Sequence, residues 1–328
     1  KINADGVGAD GLTVDTNGFN TRIAKGMGGT GGMTLDGTGG GTLRLNKANT
    51  YTGGTTVDNG TLLLQYESGG TGTIRGALTV NAGGVVDYTK AHTFGWWPNA
   101  DTGAARSVTS LTINGGRVGG SNFGNHFWGR SSDDGTPNGF ELTMNGGELI
   151  LGGGRNEFFN PTFNLSGDAV IRRADGNTSA NLNLRDNGDL TINAQSGATA
   201  TISAPIRQRR GTSDFFFNGP GTVTLSGVNN WGGQSTIDGG RVIVTNDEAL
   251  GGQYTDKTIN IFGGGVLEAA FTNANDHMEI VALNLGKTGE LGGTLAGKGL
   301  GNRNYGEFYL HGNVTVAGTS ASEISADV

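Results

Sequence analysis

The stretch ANTYTGGTTVDNGTLLL, residues 48–64, holds three glycines and five threonines and closes on three leucines. Glycine and β-branched threonine are both unfavourable inside helices, and no apolar stripe of period 3.6 runs through the segment. Its meaning emerges from a second copy, VNNWGGQSTIDGGRVIV at 228–244. Asn49 falls on Asn229, Tyr51 on Trp231, Gly53 on Gly233 and Val57 on Ile237; Asp58, Gly60, Leu62 and Leu64 fall on Asp238, Gly240, Val242 and Val244. Every pair has the same offset of 180, and GTLRL (41–45) meets GTVTL (221–225) at that offset too. Chance aligns glycines easily in a glycine-rich chain. It rarely also keeps aromatic on aromatic, Asp on Asp and the alternating apolar positions.

Glycine supplies 64 of the 328 residues, close to a fifth where about 7% is usual. Interleaved with Leu, Val, Ile, Thr and Asn, it gives the mixture expected of short strands joined by tight turns. The net charge of -7 argues against nucleic acid and anionic membrane surfaces as partners. Without cysteine, disulfides and thiolate metal sites are unavailable. No apolar run approaches the roughly 18 residues of a membrane span, so this segment is not expected to insert in a membrane. The chain opens at KINADGVG and reads as a mature protein or a segment of a larger one.

Between the two copies lies a finer pattern. LTVNAGGVV begins at Leu78, LTINGGRV at Leu111 and LTMNGGEL at Leu142. Each reads as a strand, a turn tolerant of positive φ and a second strand. Asn81, Asn114 and Asn145 are separated by 33 and then 31 residues, and so are Phe94, Phe127 and Phe158. Two landmarks that keep common spacing through unequal steps imply stacked coils, with one ladder of asparagines and another of phenylalanines. An antiparallel sandwich does not require turns to recur in register with distant aromatics, whereas a parallel coil does. At ~4.8 Å per coil the chain, read as one continuous solenoid over 1–328, would make a rod of roughly 50–75 Å. The uneven lengths fall in PNADTGAARSVTS (98–110) and SSDDGTPNGFE (131–141), expected to loop out of one side.

GTGGMTLDGTGGGTLRLNKANTYTGGTTVDNGTLLL (29–64) resembles the autotransporter-associated β-strand repeat, the passenger-associated transport repeat of bacterial surface proteins. GPGTVTLSGVNNWGGQSTIDGGRVIVTNDEALGG (219–252) is similar, departing where Asn230-Trp231-Gly232 replaces Thr-Tyr-Thr. The resemblance implies an all-β, right-handed parallel β-helix (a β-solenoid) on an exported protein, extracellular or on the bacterial cell surface. It transfers no catalytic residue and no cofactor. The expected role is therefore a non-catalytic structural or adhesive rod, joined end to end to adjacent repeats or to other copies of itself. The alternative is a polysaccharide-binding or polysaccharide-degrading enzyme on the same coil.

Chemistry-bearing candidates are few. Trp96, Trp97, Trp128, Arg130, Asp133 and Asp134 make a candidate glycan platform, with indole faces for sugar rings and carboxylates for hydroxyls; the rival reading is an aromatic ladder closing the core. Asp133 with Asp134, and Asp186 with Asp189, are acids that a glycosidase could use and that turns use more often. GVGADG (6–11) is similar to one copy of a calcium-binding nonapeptide, whose sites need successive copies, so no metal is expected. GMGGTGG (26–32) has dinucleotide-loop spacing but no following helix. The four histidines show no metal-ligand spacing. Basic residues are dense only at Arg172-Arg173 and RQRR (207–210). Phe215, Phe216 and Phe217 read as a strand buried on both faces, with a contact to another subunit as the alternative.

Overall fold

The computed structural model describes residues 7–66, 72–95, 107–120, 125–127, 139–185, 188–209, 211–251, 257–271, 277–297 and 307–325. They are all-β; the one helical element among them is a three-residue 3-10 turn, Thr38–Gly40. The chain forms two compact units, residues 1–161 with 171–183, and residues 162–170 with 184–328.

In the first unit the opening stretch becomes the ten-residue strand Thr55–Leu64. Val57, Leu62 and Leu64 are fully buried while Thr56, Thr61 and Leu63 face outward between them. The alternation slips once, at Asp58-Asn59-Gly60, and there the strand turns a corner. Gly60 has φ of 79° and a side chain on it would meet the Gly41 carbonyl at 2.7 Å, which explains glycine at this position. One limb lies between Met33–Asp36 and Gly76–Asn81, the other between Thr42–Leu45 and Gly84–Tyr88.

These pairings are parallel, as are those to Val108–Asn114, Arg117–Gly120 and Glu141–Leu151. The chain thus returns to the same line in the same sense. Leu35, Val57, Val80, Ile113 and Met144 stack in one column at steps of 22, 23, 33 and 31 residues. Leu43, Leu62, Val86, Val118 and Leu149 make a second, each with no exposed surface. Each fully buried aliphatic side chain contributes about 1.5–3 kcal/mol, so these columns are the core.

The second unit repeats the scheme. Phe163, Ile192, Phe217, Ile237, Ile261 and Leu285 stack at steps of 29, 25, 20, 24 and 24 residues. Ala200, Val223, Val242, Leu267 and Leu295 form its companion column.

The expected asparagine ladder is present, and of the phenylalanine ladder the pairing of Phe127 with Phe158 is present. Asn145 donates its side-chain amide to Asn114 at 2.7 Å and Asn114 to Asn81 at 2.8 Å, so each asparagine bonds its neighbour's side chain. Phe127 and Phe158 are partners in a short third parallel ladder between His126–Phe127 and Arg155–Phe158. Phe94 is fully buried and its N–H donates to the Asn125 side chain at 3.3 Å. The phenylalanine triplet is not buried on both faces. Phe215 and Phe217 point inward, whereas Phe216 is half-exposed in an outward column with Thr191 and Thr236. The segments 98–110 and 131–141, expected to loop out of one side, fall mostly outside the described residues.

Candidate functional site

Each of the two similar segments builds the same small device. In the first unit Asn49 is 1% exposed. Its Oδ1 accepts the Met27 N–H from the coil before, at 2.9 Å, and its Nδ2 donates to the Thr73 carbonyl of the coil after, at 2.7 Å. In the second unit Asn229 does likewise, accepting from Ile206 N–H at 2.7 Å and donating to the Ala249 carbonyl at 2.6 Å. One carboxamide thus satisfies backbone groups on both neighbouring coils, and buried backbone groups must be satisfied somewhere.

Two residues further on stands the aromatic. Tyr51 and Trp231 are each 1% exposed. The Tyr51 hydroxyl lies 2.6 Å from Thr55 Oγ1, and the Trp231 indole N–H donates to Ser235 Oγ at 3.2 Å. Thr55 and Ser235 would otherwise be orphaned hydroxyls in apolar columns, since Thr55 stacks between Met33 and Leu78 and Ser235 between Phe215 and Ile259. The aromatic therefore fills volume and closes a polar gap four residues ahead. Trp231 also stacks on Phe215, ring centroids 4.8 Å apart and 11° from parallel. Burial holds the Tyr51 phenol well above the usual range for tyrosine because the phenolate would be desolvated.

Residues 38–64 and 218–244 match the family model described as passenger-associated-transport-repeat. The chain carries two passenger-associated-transport-repeats. Their boundaries keep the offset of 180 found in the sequence, and together they cover about a sixth of the chain. No curated protein and no solved structure matches the chain. Both repeats contain the asparagine, the aromatic and the hydroxyl described above. What they have in common is thus a stitch between coils.

The residues expected to carry ligand chemistry are placed as follows. Trp96, Trp97, Trp128, Arg130, Asp133, Asp134 and Asp186 lie outside the described residues. Asp189 accepts the backbone N–H of Asp214 at 2.8 Å and so holds a turn. Arg172 pairs with Glu148 and with Asp175, and Arg173 donates to the Ala180 carbonyl at 2.6 Å and to Asn181 at 3.1 Å. This basic pair locks its own loop. Among the described residues no cluster of three or more His, Asp or Glu is arranged to hold a metal ion.

One residue was not anticipated. Lys257, 4% exposed, donates its ammonium to the Trp231 backbone carbonyl at 2.5 Å and lies 5.6 Å from the Trp231 ring centroid. No carboxylate of the described residues pairs with it, and desolvation pushes its pKa down from 10.5 to about 8. Because the folded value is depressed, the unfolded chain takes up this proton first as pH falls. The second unit is therefore expected to lose on the order of 3 kcal/mol between pH 10 and pH 8 from this group, with no further loss from it below. In the first unit the buried Tyr51 and Tyr88, whose phenols are raised by burial, act in the opposite sense above about pH 10. Urea unfolding at stepped pH measures the slope, and Lys257→Met should flatten it.

Proposed function

We propose that this chain is a non-catalytic structural or adhesive protein of the bacterial surface, part of an autotransporter-type passenger. Each of its units is a right-handed β-solenoid, and specificity resides in the loops between strands. The observation that carries this reading is the stitch. In both repeats the polar atoms of the asparagine and the aromatic turn inward and are consumed by backbone or by a buried hydroxyl. A segment spent on coil-to-coil support serves as scaffold, and a passenger outside the cell needs a fold held by backbone ladders where no disulfide is available. Its partners are further repeats or second copies joined by strand addition at an edge, and surface glycans met by the aromatic loops.

Two measurements test the reading. Protease treatment of intact cells of the source bacterium should release peptides of this chain. Protection until lysis overturns the surface assignment. Incubation of the purified protein with a panel of polysaccharides should generate no new reducing ends. Release that disappears in the Asp133→Asn, Asp134→Asn double variant overturns the non-catalytic assignment.

A further inference from the structure

The first unit carries an outward feature that the stitch does not use. Thr13, Thr34, Thr56, Thr79, Thr112 and Thr143 are successive register partners, one per coil, in an unbroken column of six. From Thr34 to Thr143 their chain neighbours on either side, such as Leu78 and Val80 or Leu111 and Ile113, are buried at 0–2% exposure, so these threonines face outward, and Thr13 at the end of the column is exposed.

The adjacent outward column is already satisfied within the protein. Asn59 donates to Asp36 at 2.8 Å, Asn81 to Asp58 at 2.6 Å, Asn114 to Asn81 at 2.8 Å and Asn145 to Asn114 at 2.7 Å. The threonine hydroxyls, by contrast, make no hydrogen bond to any described residue. Parallel strands hold them ~4.8 Å apart, too far to bond one another. One water bonded to two successive hydroxyls at ~2.75 Å each would subtend about 120° at its oxygen, close to the angle water prefers.

Threonine is stiff at χ1, and from Thr34 to Thr143 each rung sets it between two buried residues. The column therefore repeats one hydroxyl and one methyl at a fixed interval, beside a column whose own polar groups are occupied. Water bonded along such a column would sit at intervals of ~4.8 Å, near the repeat along a lattice row of ice. The face carries no aromatic ring in that column on which a sugar could stack, and its recognition elements are identical and evenly spaced, as the molecules of a crystal surface are.

We propose that the Thr34–Thr56–Thr79–Thr112–Thr143 face binds the surface of ice. The inference goes beyond the scaffold function and does not depend on it. Ice-affinity partitioning and inhibition of ice recrystallisation, run on the purified chain, test it. The wild type should be enriched in the ice fraction and hold grain size small. Thr79→Lys with Thr112→Lys, both solvent-facing, should lower the enrichment at least tenfold with an unchanged far-ultraviolet spectrum and melting temperature. The milder pair Thr79→Val and Thr112→Val, which keeps shape and β-propensity, serves as second variant should the lysines disturb folding, and should weaken binding less. Exclusion of the wild type from ice, or full retention by folded lysine variants, overturns the proposal. Retention on insoluble polysaccharide that the same variants abolish, without ice binding, also overturns it and reassigns the face to glycan.

Discussion

Asn229→Ala is expected to destabilise the second unit by about 4 kcal/mol, read as a shift in the urea midpoint at unchanged slope. Truncation strands two buried backbone groups at once, the Ile206 N–H and the Ala249 carbonyl, both on residues with no exposed surface. Each unsatisfied buried group costs about 1–3 kcal/mol, and the small cavity left by the carboxamide adds to that. Asn49→Ala should cost less in the first unit, about 2 kcal/mol, because the Met27 N–H loses its partner whereas the Thr73 carbonyl still accepts the Asn49 backbone N–H at 3.1 Å. The Asn49 Nδ2 also donates to the Lys47 carbonyl at 3.0 Å, a local bond that leaves with it.

Asn229→Asp separates the two halves of the stitch. Its carboxylate still accepts from Ile206 but turns a second oxygen toward the Ala249 carbonyl, with no proton between them. The folded protein then favours the protonated acid, so the pKa rises above the unfolded value near 3.9. The sign follows: the variant approaches wild-type stability below that value and loses it as pH climbs through the raised folded pKa. Equal destabilisation of the Asp variant at pH 4 and pH 8 would show that the donor half contributes nothing.

The alternating apolar positions, the offset between copies and the common spacing of Asn81, Asn114 and Asn145 made the parallel register readable from sequence. Side chains in stacked coils repeat in step with the chain, so periodicity carries the information. Asn49 and Asn229 were visible as aligned residues, yet their task was not. Both of their partners are backbone groups on neighbouring coils, and backbone atoms leave no trace in residue type. The phenylalanine triplet misled for a related reason. Composition cannot tell an inward Phe217 from an outward Phe216, whereas the register with Thr191 and Thr236 can. Lys257 was silent because nothing in its neighbours marks a lysine for burial; it is buried because its ammonium reaches the Trp231 carbonyl of the previous coil. The threonine column was equally hidden. Its members are scattered over 131 positions, from Thr13 to Thr143, and only the pairing brings them into one row.

Gly53→Ala should be strongly damaging to the first unit, and the reason is contact rather than backbone conformation. Gly53 donates its N–H to the Gly31 carbonyl at 3.2 Å. A methyl group on it would stand 2.4 Å from the Gly32 nitrogen and 2.5 Å from the Gly31 carbonyl carbon. Those are main-chain atoms of the preceding coil, so no side chain can rotate aside, and the coils must separate against their own ladder. Overpacking that side chains absorb costs about 1–3 kcal/mol; here a loss above ~3 kcal/mol is expected, or about 6–12 °C in melting temperature for a unit of this size. Gly154→Ala is the control. Gly154 has φ of 78° with nothing within 4 Å of the added carbon, so it should cost only the ~1–2 kcal/mol of a left-handed backbone. Gly233 repeats the contact in the second unit, where the methyl would meet the Ser213 carbonyl oxygen at 2.2 Å. If Gly53→Ala melts no lower than Gly154→Ala, the close approach of coils at this glycine, and with it the spacing both repeats enforce, is wrong.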